Sequence, residues 1–392
     1  MEIRKLKGSE RFDAYLISTY CFHERVEDVE RDREKIEKET VEDWGAFAED
    51  GTLTARIVNN KFNFYIDGTP VRAGGIGAVS TLPEYRAGGA IRKIFQELLP
   101  EAYRDGEVIS TLYPFNHAFY RKQGYETIVF QNDYEFTPAV LSGYRYDGKI
   151  TRWNPGEPVT EYLDVYNRSA SGYNLALLRD EKTMLEHMKV DKLYQERKFS
   201  YLFRGGKENI AYITFSDIKM EPAPLLRVEE SAWVNREGFE AILAFLARFE
   251  ADYGQVRLPM PAGIDLLRLL RSPKAYEVRK ISHQDFMVRV VNAGKLLSVI
   301  RKPAGCDFTI QVSDELLPEN NGTWQVTAEA VKAADKGSAP DIVVSEKALG
   351  QLAVGGINLD EAMLRPDVRI HGKEEMLRDV FREKKIFVGE HF

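Results

Sequence analysis

Arg86-Ala87-Gly88-Gly89-Ala90-Ile91-Arg92 joins an apolar, strand-like run to an apolar, helix-like run. The first turn of a helix leaves N–H groups without intrahelical partners and carries about half a positive charge. Small residues there let a diphosphate settle onto those N–H groups, and Arg86 and Arg92 add charge of the right sign. A Gly-Gly pair alone is usually a tight turn; the flanking arginines and the preceding strand argue for an anion instead. No GxGxxG fingerprint and no Gly-Lys-Ser/Thr phosphate loop occurs. Cys21 and Cys306 are the only cysteines, far apart and outside any Cys/His cluster, so no metal is expected and both read as free thiols of a reducing compartment.

The elements around this loop follow from periodicity. "RFDAYLISTYCF" is apolar at helical spacing, and the charged run from Glu24 to Asp43 reads as a solvated connection or helix surface. "TARIVNN", "KFNFYID" and "TPVRAGGIGAVST" alternate, with turns expected at Asn59-Asn60 and Asp67-Gly68, which gives an antiparallel meander. Ile91, Ile94, Phe95, Leu98 and Leu99 then recur at helical spacing until Pro100, which should kink or end the helix. After the strand "EVISTLY", "NHAFYRKQ" is a short helix capped by Asn116 and stopped by Gly124, and "ETIVFQNDYEF" returns as one strand.

"TRWNPGEP" punctuates a boundary near residue 150. Beyond it come helical patterns over 159–192, a hairpin "KFSYLFRGGKENIAYITFSD" and the helix "REGFEAILAFLARFE", an order like that of the first segment without its glycine-arginine loop. From about 287 four strand-like runs and a helix follow, and "EEMLRDVFREKKIF" reads as a last amphipathic helix before "VGEHF". The expected division is 1–150, 151–286 and 287–392, with α/β (mixed α+β sheet) architecture.

A length of 392 residues suits two or three domains, and 44% hydrophobic with 29% charged residues is ordinary for globular chains. A net charge of -7 argues against nucleic acid as the main partner. "MEIRKLKGSERF" shows no apolar secretory core and no run reaches bilayer length, so a cytoplasmic protein is expected.

"VSTLPEYRAGGAIRKIF" resembles the acetyl-coenzyme-A signature of GNAT acetyltransferases, and "NHAFYRKQGYE" resembles the later signature of the same family. Many members have Gly or Ala where Ile91 stands. The Eis-type (enhanced intracellular survival) pattern R-x-x-G-x-[LI] instead fits Arg86, Gly89 and Ile91. The whole chain resembles that group: an active GNAT domain, a second GNAT-like domain without the cofactor loop, and a sterol-carrier-like domain.

The resemblance implies acetyl-coenzyme A as cosubstrate, held by Val79, Ser80 and Thr81, by the loop residues Arg86, Ala87, Gly88, Gly89, Ala90, Ile91 and Arg92, and by Phe115 and Asn116. It implies Tyr120 as the proton donor to the departing thiolate and the carboxylate of Phe392 as the base. A primary amine of an aminoglycoside, polyamine or lysine would be the acceptor, and the assembly a homohexamer. Tyrosine holds its proton to about pH 10 and a thiol to about 8.5, so full transfer is uphill by roughly 2 kcal/mol and a hydrogen bond is the better description. An α-carboxyl near 3.5 facing an alkylammonium near 10 would need about 9 kcal/mol, so burial, a water relay or an already neutral amine must close the gap. Trp44 is either pocket wall or core, His117 a surface residue, and Glu390 and the acidic residues of 24–50 either an acidic pocket or a solvated face. A non-catalytic carrier of apolar ligands in 287–392 is the competing function.

Overall fold

The strand-forming runs of the first segment assemble around one strand imported from far downstream. In the computed structural model, which describes residues 1–24, 29–38, 41–188, 198–271, 277–335 and 337–392, the first segment forms β1 (Glu2–Lys5), α1 (Gly8–Phe22), α2 (Val29–Lys38), β2 (Glu42–Phe47), β3 (Leu53–Ile66), β4 (Thr69–Thr81), α3 (Ala90–Arg104), β5 (Ile109–Leu112), α4 (His117–Arg121) and β6 (Glu126–Ile128). The sheet runs β1-β2-β3-β4-β5, then the imported β14 (Phe286–Val290), then β6. β4 and β5 are parallel, and α3 makes the crossover between them.

Two local readings are overturned here for identifiable reasons, a turn at Asn59-Asn60 and an end of α3 at Pro100. β3 runs through Asn59-Asn60 because neighbouring elements take up both amide N–H groups: Asn59 Nδ2 donates to Glu107 Oε1 (3.1 Å) and Asn60 Nδ2 to the Gly75 carbonyl (3.1 Å). α3 continues past Pro100 to Arg104, since its apolar stripe stays buried on both sides of the proline (Ile94, Leu98, Leu99, Ala102) while the freed carbonyl belongs to exposed Gln96. The Asp67-Gly68 turn forms, both residues at positive φ (48° and 86°), as a two-residue hairpin demands.

The second segment repeats this plan. β7 (Gln131–Phe136), β8 (Lys149–Arg152), α5 (Thr160–Ala170), α6 (Glu181–Met188), β9 (Lys198–Gly205), β10 (Glu208–Ile218), β11 (Leu225–Trp233), α7 (Arg236–Leu246), β12 (Gln255–Pro261) and β13 (Val278–His283) form a sheet ordered β8-β9-β10-β11-β12-β7-β13. β11 and β12 are its parallel pair, with α7 as crossover, and β7 takes the position that β14 takes in the first sheet. "ETIVFQNDYEF" is therefore two strands, β6 and β7, in different sheets, and each sheet borrows its sixth strand from the other side of the duplication. The helical pattern beyond residue 188 lies outside the described residues.

α8 (Ala293–Val299), β15 (Asp307–Ser313), β16 (Gly322–Thr327), β17 (Val331–Ala333), β18 (Ile342–Ser345), α9 (Glu346–Val354), α10 (Leu359–Ala362), β19 (Val368–Ile370) and α11 (Glu374–Val380) complete the chain, with a five-stranded sheet β17-β16-β15-β18-β19. The last helix stops at Val380, shorter than its sequence pattern. Phe286, Val288 and Val290 of β14 share one apolar core with Leu349 and Leu352 of α9 and Phe308 of β15, so the third sheet packs on the first through the imported strand. No helix among the described residues is long and apolar enough to cross a membrane.

Candidate functional site

β4 is paired on both edges at its middle and on one edge at its end. Its ladder with β5 covers Ala73 to Ile76 and stops. Pairing with β3 continues to Ser80 and Thr81 across a bulge in which Ala78 takes φ 51°. Val79, Ser80 and Thr81 therefore line the opening between two splayed strands, with no β5 partner. Directly after them, Ala87 (φ 64°) and Gly89 (φ 76°) both adopt left-handed conformations that turn the chain into α3. Gly89 is the N-cap of α3, and no side chain caps that end, so the first-turn N–H groups stay available. The second segment's equivalent is closed: Asn235 Oδ1 accepts from the Gly238 N–H (2.8 Å) at the start of α7.

A cavity of about 710 Å³ opens at this corner. Its wall includes Val79, Ser80, Thr81, Arg86, Ala87, Gly89, Ala90, Ile91, Arg92 and Phe115, which sequence had grouped together. Arg86 and Arg92 are exposed at its rim. Gly88 and Asn116 are not part of the wall: the Gly88 N–H donates to the Tyr85 carbonyl (3.4 Å), and Asn116 Oδ1 caps α4 by accepting from the Phe119 N–H (3.0 Å). Cys21 and Phe22 from the end of α1, and Lys122 and Gln123 from the end of α4, also line it. Sequence reasoning missed these because nothing local brings α1 to β4; the Cys21 thiol donates to the Thr81 carbonyl (3.4 Å).

Tyr120 lies behind the wall. It is buried, with its ring edge-on to Phe115 (5.2 Å between centroids), Phe119 (5.2 Å) and Tyr125 (6.2 Å). Burial, reinforced by Tyr125, pushes its phenol well above the ordinary tyrosine range, so it is a donor at neutral pH. It shares a cluster with Ile76 and Leu112 on the α3 side of the sheet.

Phe392 approaches from the opposite side. Its ring meets Phe62 (5.1 Å), Tyr113 (5.6 Å) and Phe286 (6.4 Å). A Cβ placed on Gly77 would stand 3.1 Å from its carboxyl carbon, which puts that carbon against β4 one residue before the bulge. Strand alternation explains the arrangement: Ile76 faces the Tyr120 cluster, while Gly75 and Gly77 turn toward Phe392. The two candidate catalytic residues thus flank the opening of the sheet from its two faces.

The tail reaches this place through contacts with every layer. Lys384 Nζ donates to Asp67 Oδ2 (2.7 Å), the Ile386 N–H to the Ala262 carbonyl (3.1 Å), and Tyr113 Oη to the Glu390 carbonyl (2.7 Å). The Glu390 side chain is buried against Arg179 (Nε to Oε1, 2.6 Å) and belongs to no open acidic pocket. Trp44 is core, its indole N–H donating to Glu42 (2.8 Å). His117 is half-buried, donating to the Gln284 carbonyl (3.2 Å). Within 24–50, Asp43 is buried against Arg56 (2.7 Å) and Glu42 pairs with Lys61 (2.7 Å), while residues 25–28 and 39–40 lie outside the described residues. Glu42, Glu101 and Asp105 converge, but Lys5 and Lys61 reach the same carboxylates.

Residues 2–128 match the acetyltransferase (GNAT) domain family and residues 295–388 the sterol carrier protein domain family. Among solved structures, the chain is similar to Eis1 from Mycobacterium abscessus (18% identity, TM-score 0.85, all of both chains) and to a GCN5-related N-acetyltransferase from Anabaena variabilis (19%, TM-score 0.83, all of both chains). It is also similar to a probable N-acyltransferase from Enterococcus faecalis (18%, TM-score 0.83, covering 98% of this chain and 97% of that one). No curated protein matches it in sequence. At these identities the structural likeness fixes the fold.

Proposed function

From a chain that carries a GNAT acetyltransferase domain and a sterol carrier protein domain in an Eis1-like fold, we propose an acetyl-coenzyme-A-dependent N-acetyltransferase acting on primary amines. Aminoglycosides, polyamines and lysine side chains are the acceptor classes in this reading, and residues 1–150, 151–286 and 287–392 are its three units, with β7 and β14 exchanged.

The residues fit the cosubstrate. The uncapped start of α3 and the exposed Arg86 and Arg92 match a diphosphate in charge and shape. The free edge of Val79 to Thr81 can pair with a pantetheine arm and turn a backbone N–H toward a thioester carbonyl. Tyr120 hydrogen-bonds the sulfur as it departs, and the Phe392 carboxylate takes the proton of the attacking amine. Catalysis then amounts to positioning at the opening of the sheet.

The observation that carries this reading is the carboxyl carbon of Phe392 standing against Gly77, where β4 leaves β5. An apolar-ligand carrier finds less support. The core against the third sheet is filled by Phe308, Ile310, Leu349, Leu352 and Phe381, and the space of about 330 Å³ beside Met363 and Lys373 is an open surface groove.

The test is steady-state thiol release from acetyl-coenzyme A with a panel of amines. Deleting Phe392, or extending the chain beyond it, should abolish turnover while coenzyme A still raises the melting temperature; unchanged turnover refutes the carboxylate base. Tyr120→Phe should lower kcat about tenfold, roughly 1.4 kcal/mol, with KM for acetyl-coenzyme A held. The hexamer and the cytoplasmic setting come with the same reading, and light scattering of the purified protein checks the first.

A further inference from the structure

We propose that Arg179 and Glu390 form a positioning clamp for the reaction, fixing the Phe392 carboxyl group from two residues away. The inference rests on the reading that Phe392 carries the base.

The Arg179 side chain is 0% exposed. Nη1 and Nη2 donate to Glu230 Oε1 (2.9 Å) and Oε2 (2.5 Å), and Nε donates to Glu390 Oε1 (2.6 Å). The guanidinium lies 3.8 Å from the centre of the Tyr166 ring. Its backbone is equally constrained. The Arg179 N–H donates to Asn167 Oδ1 (3.1 Å), its carbonyl accepts from Asn167 Nδ2 (3.0 Å), and the neighbouring Leu178 N–H donates to the Asn63 carbonyl on β3 (2.8 Å). β3 also carries Phe62, the ring on which Phe392 rests, so one strand references both ends of the clamp.

Charge neutrality at Arg179 does not require the third member. Arg179 and Glu230 already close a bidentate, charge-neutral pair, to which the Tyr212 hydroxyl adds a bond. Adding Glu390 buries a second carboxylate whose Oε2 has no hydrogen-bond partner among the described residues, and half-buried His187 has its Nε2 3.4 Å from Oε1. Burial alone would penalise such a group, but the Arg179 charge and His187 hold its carboxyl below the ordinary range, so it stays charged. What the arrangement supplies is location. Residue 390 is held by its side chain through Arg179 and by its carbonyl through Tyr113, which leaves two residues between a fixed point and the carboxyl carbon at Gly77. A group that must meet an amine tolerates little displacement, since about 1 Å costs up to a hundredfold in rate.

Glu390→Asp keeps the charge pair and shortens the link by one methylene, and Glu390→Ala removes it. Each is compared with the full-length protein and with a Phe392 deletion by thiol release, by thermal shift with coenzyme A, and by melting temperature. The clamp predicts that Glu390→Asp lowers kcat by on the order of tenfold, with KM for acetyl-coenzyme A within twofold and the coenzyme A shift intact. It also predicts that Glu390→Ala lowers kcat at least as far as Glu390→Asp, again with KM for acetyl-coenzyme A within twofold. A Glu390→Asp enzyme with kcat within twofold of the parent, while the deletion is dead, overturns the clamp and leaves the base standing. Parallel losses in kcat, KM and the coenzyme A shift also overturn it, since they mark a general structural role. A Phe392 deletion that turns over normally refutes the base itself.

Discussion

Gly75→Ala should disturb the base without touching the cofactor corner. Gly75 is a β4 residue with no positive φ, so alanine is compatible with its backbone. Its added Cβ would stand 2.8 Å and 2.9 Å from Cε2 and Cδ2 of the Phe392 ring and would also meet the Phe62 ring. The Phe62 ring is the nearer of the two and rests on Phe392 (5.1 Å between centroids) with Phe64 behind it (5.5 Å), so both clashes press on Phe392. Restoring an ordinary carbon contact moves that ring by roughly 0.6 Å. If about 1 Å of misplacement costs up to a hundredfold, the expected loss in kcat is about tenfold, or about 1.4 kcal/mol of barrier. Overpacking adds about 1–3 kcal/mol of destabilisation, partly offset by the lower chain entropy of alanine. Gly74→Ala is the control. Its Cβ would press on the buried Asn59 and stand 2.7 Å from Glu107 Oε2, away from the tail. Thiol release at saturating acetyl-coenzyme A, read beside melting temperature, separates the two. Normal kcat in Gly75→Ala, or an equal loss in Gly74→Ala, would refute the argument that the face of β4 carrying Gly75 and Gly77 seats the base.

Replacing both Arg86 and Arg92 by glutamine should raise KM for acetyl-coenzyme A about tenfold while leaving kcat near normal, because both sit exposed at the uncapped start of α3; an unchanged KM removes the phosphate-binding role. Asp314→Ala should lower stability by about 3–5 kcal/mol, since it strands the fully buried Arg289 guanidinium, now paired at 2.8 Å, and thermal unfolding reads this directly. Acid should weaken the fold through Glu230. Burial alone would raise its pKa, but the Arg179 charge and hydrogen bonds hold it down to about 2, below the ordinary 4.5. Its stabilisation is therefore full above pH 4.5 and lost as pH falls toward 2. Glu230→Gln should flatten the melting temperature over that window, and an unaltered slope would contradict the assignment.

What could be read from sequence was what the chain encodes locally. The loop from Arg86 to Arg92 announces itself because its glycines and arginines are adjacent, and the short α4 because Asn116 and Gly124 bracket it. The Asn59-Asn60 turn was misread for the same reason: asparagine pairs usually break strands, and only the distant Glu107 and Gly75 show why this pair does not. Nothing near Phe286–Val290 marks it as a strand of the first sheet, because a fully buried central strand reads alike wherever it is inserted.

The tail is the extreme case of that non-locality. Bare "VGEHF" carries no pattern: Tyr113 and Arg179 hold its Glu390, and Asp67, Asn174 and Ala262 hold residues 384–387 just before it, partners scattered over two other segments. The cofactor corner and the base therefore obey different rules. Arg86, Gly89 and Arg92 lie on the one stretch that joins β4 to α3, and the rest of that corner comes from α1 and α4 of the same segment. The carboxyl group of Phe392 reaches Gly77 only when the first and second sheets and the third unit are docked. Loosening any of those contacts should then cost turnover before it costs coenzyme A binding, an order that mild urea would expose by separating the loss of kcat from the loss of the coenzyme A thermal shift.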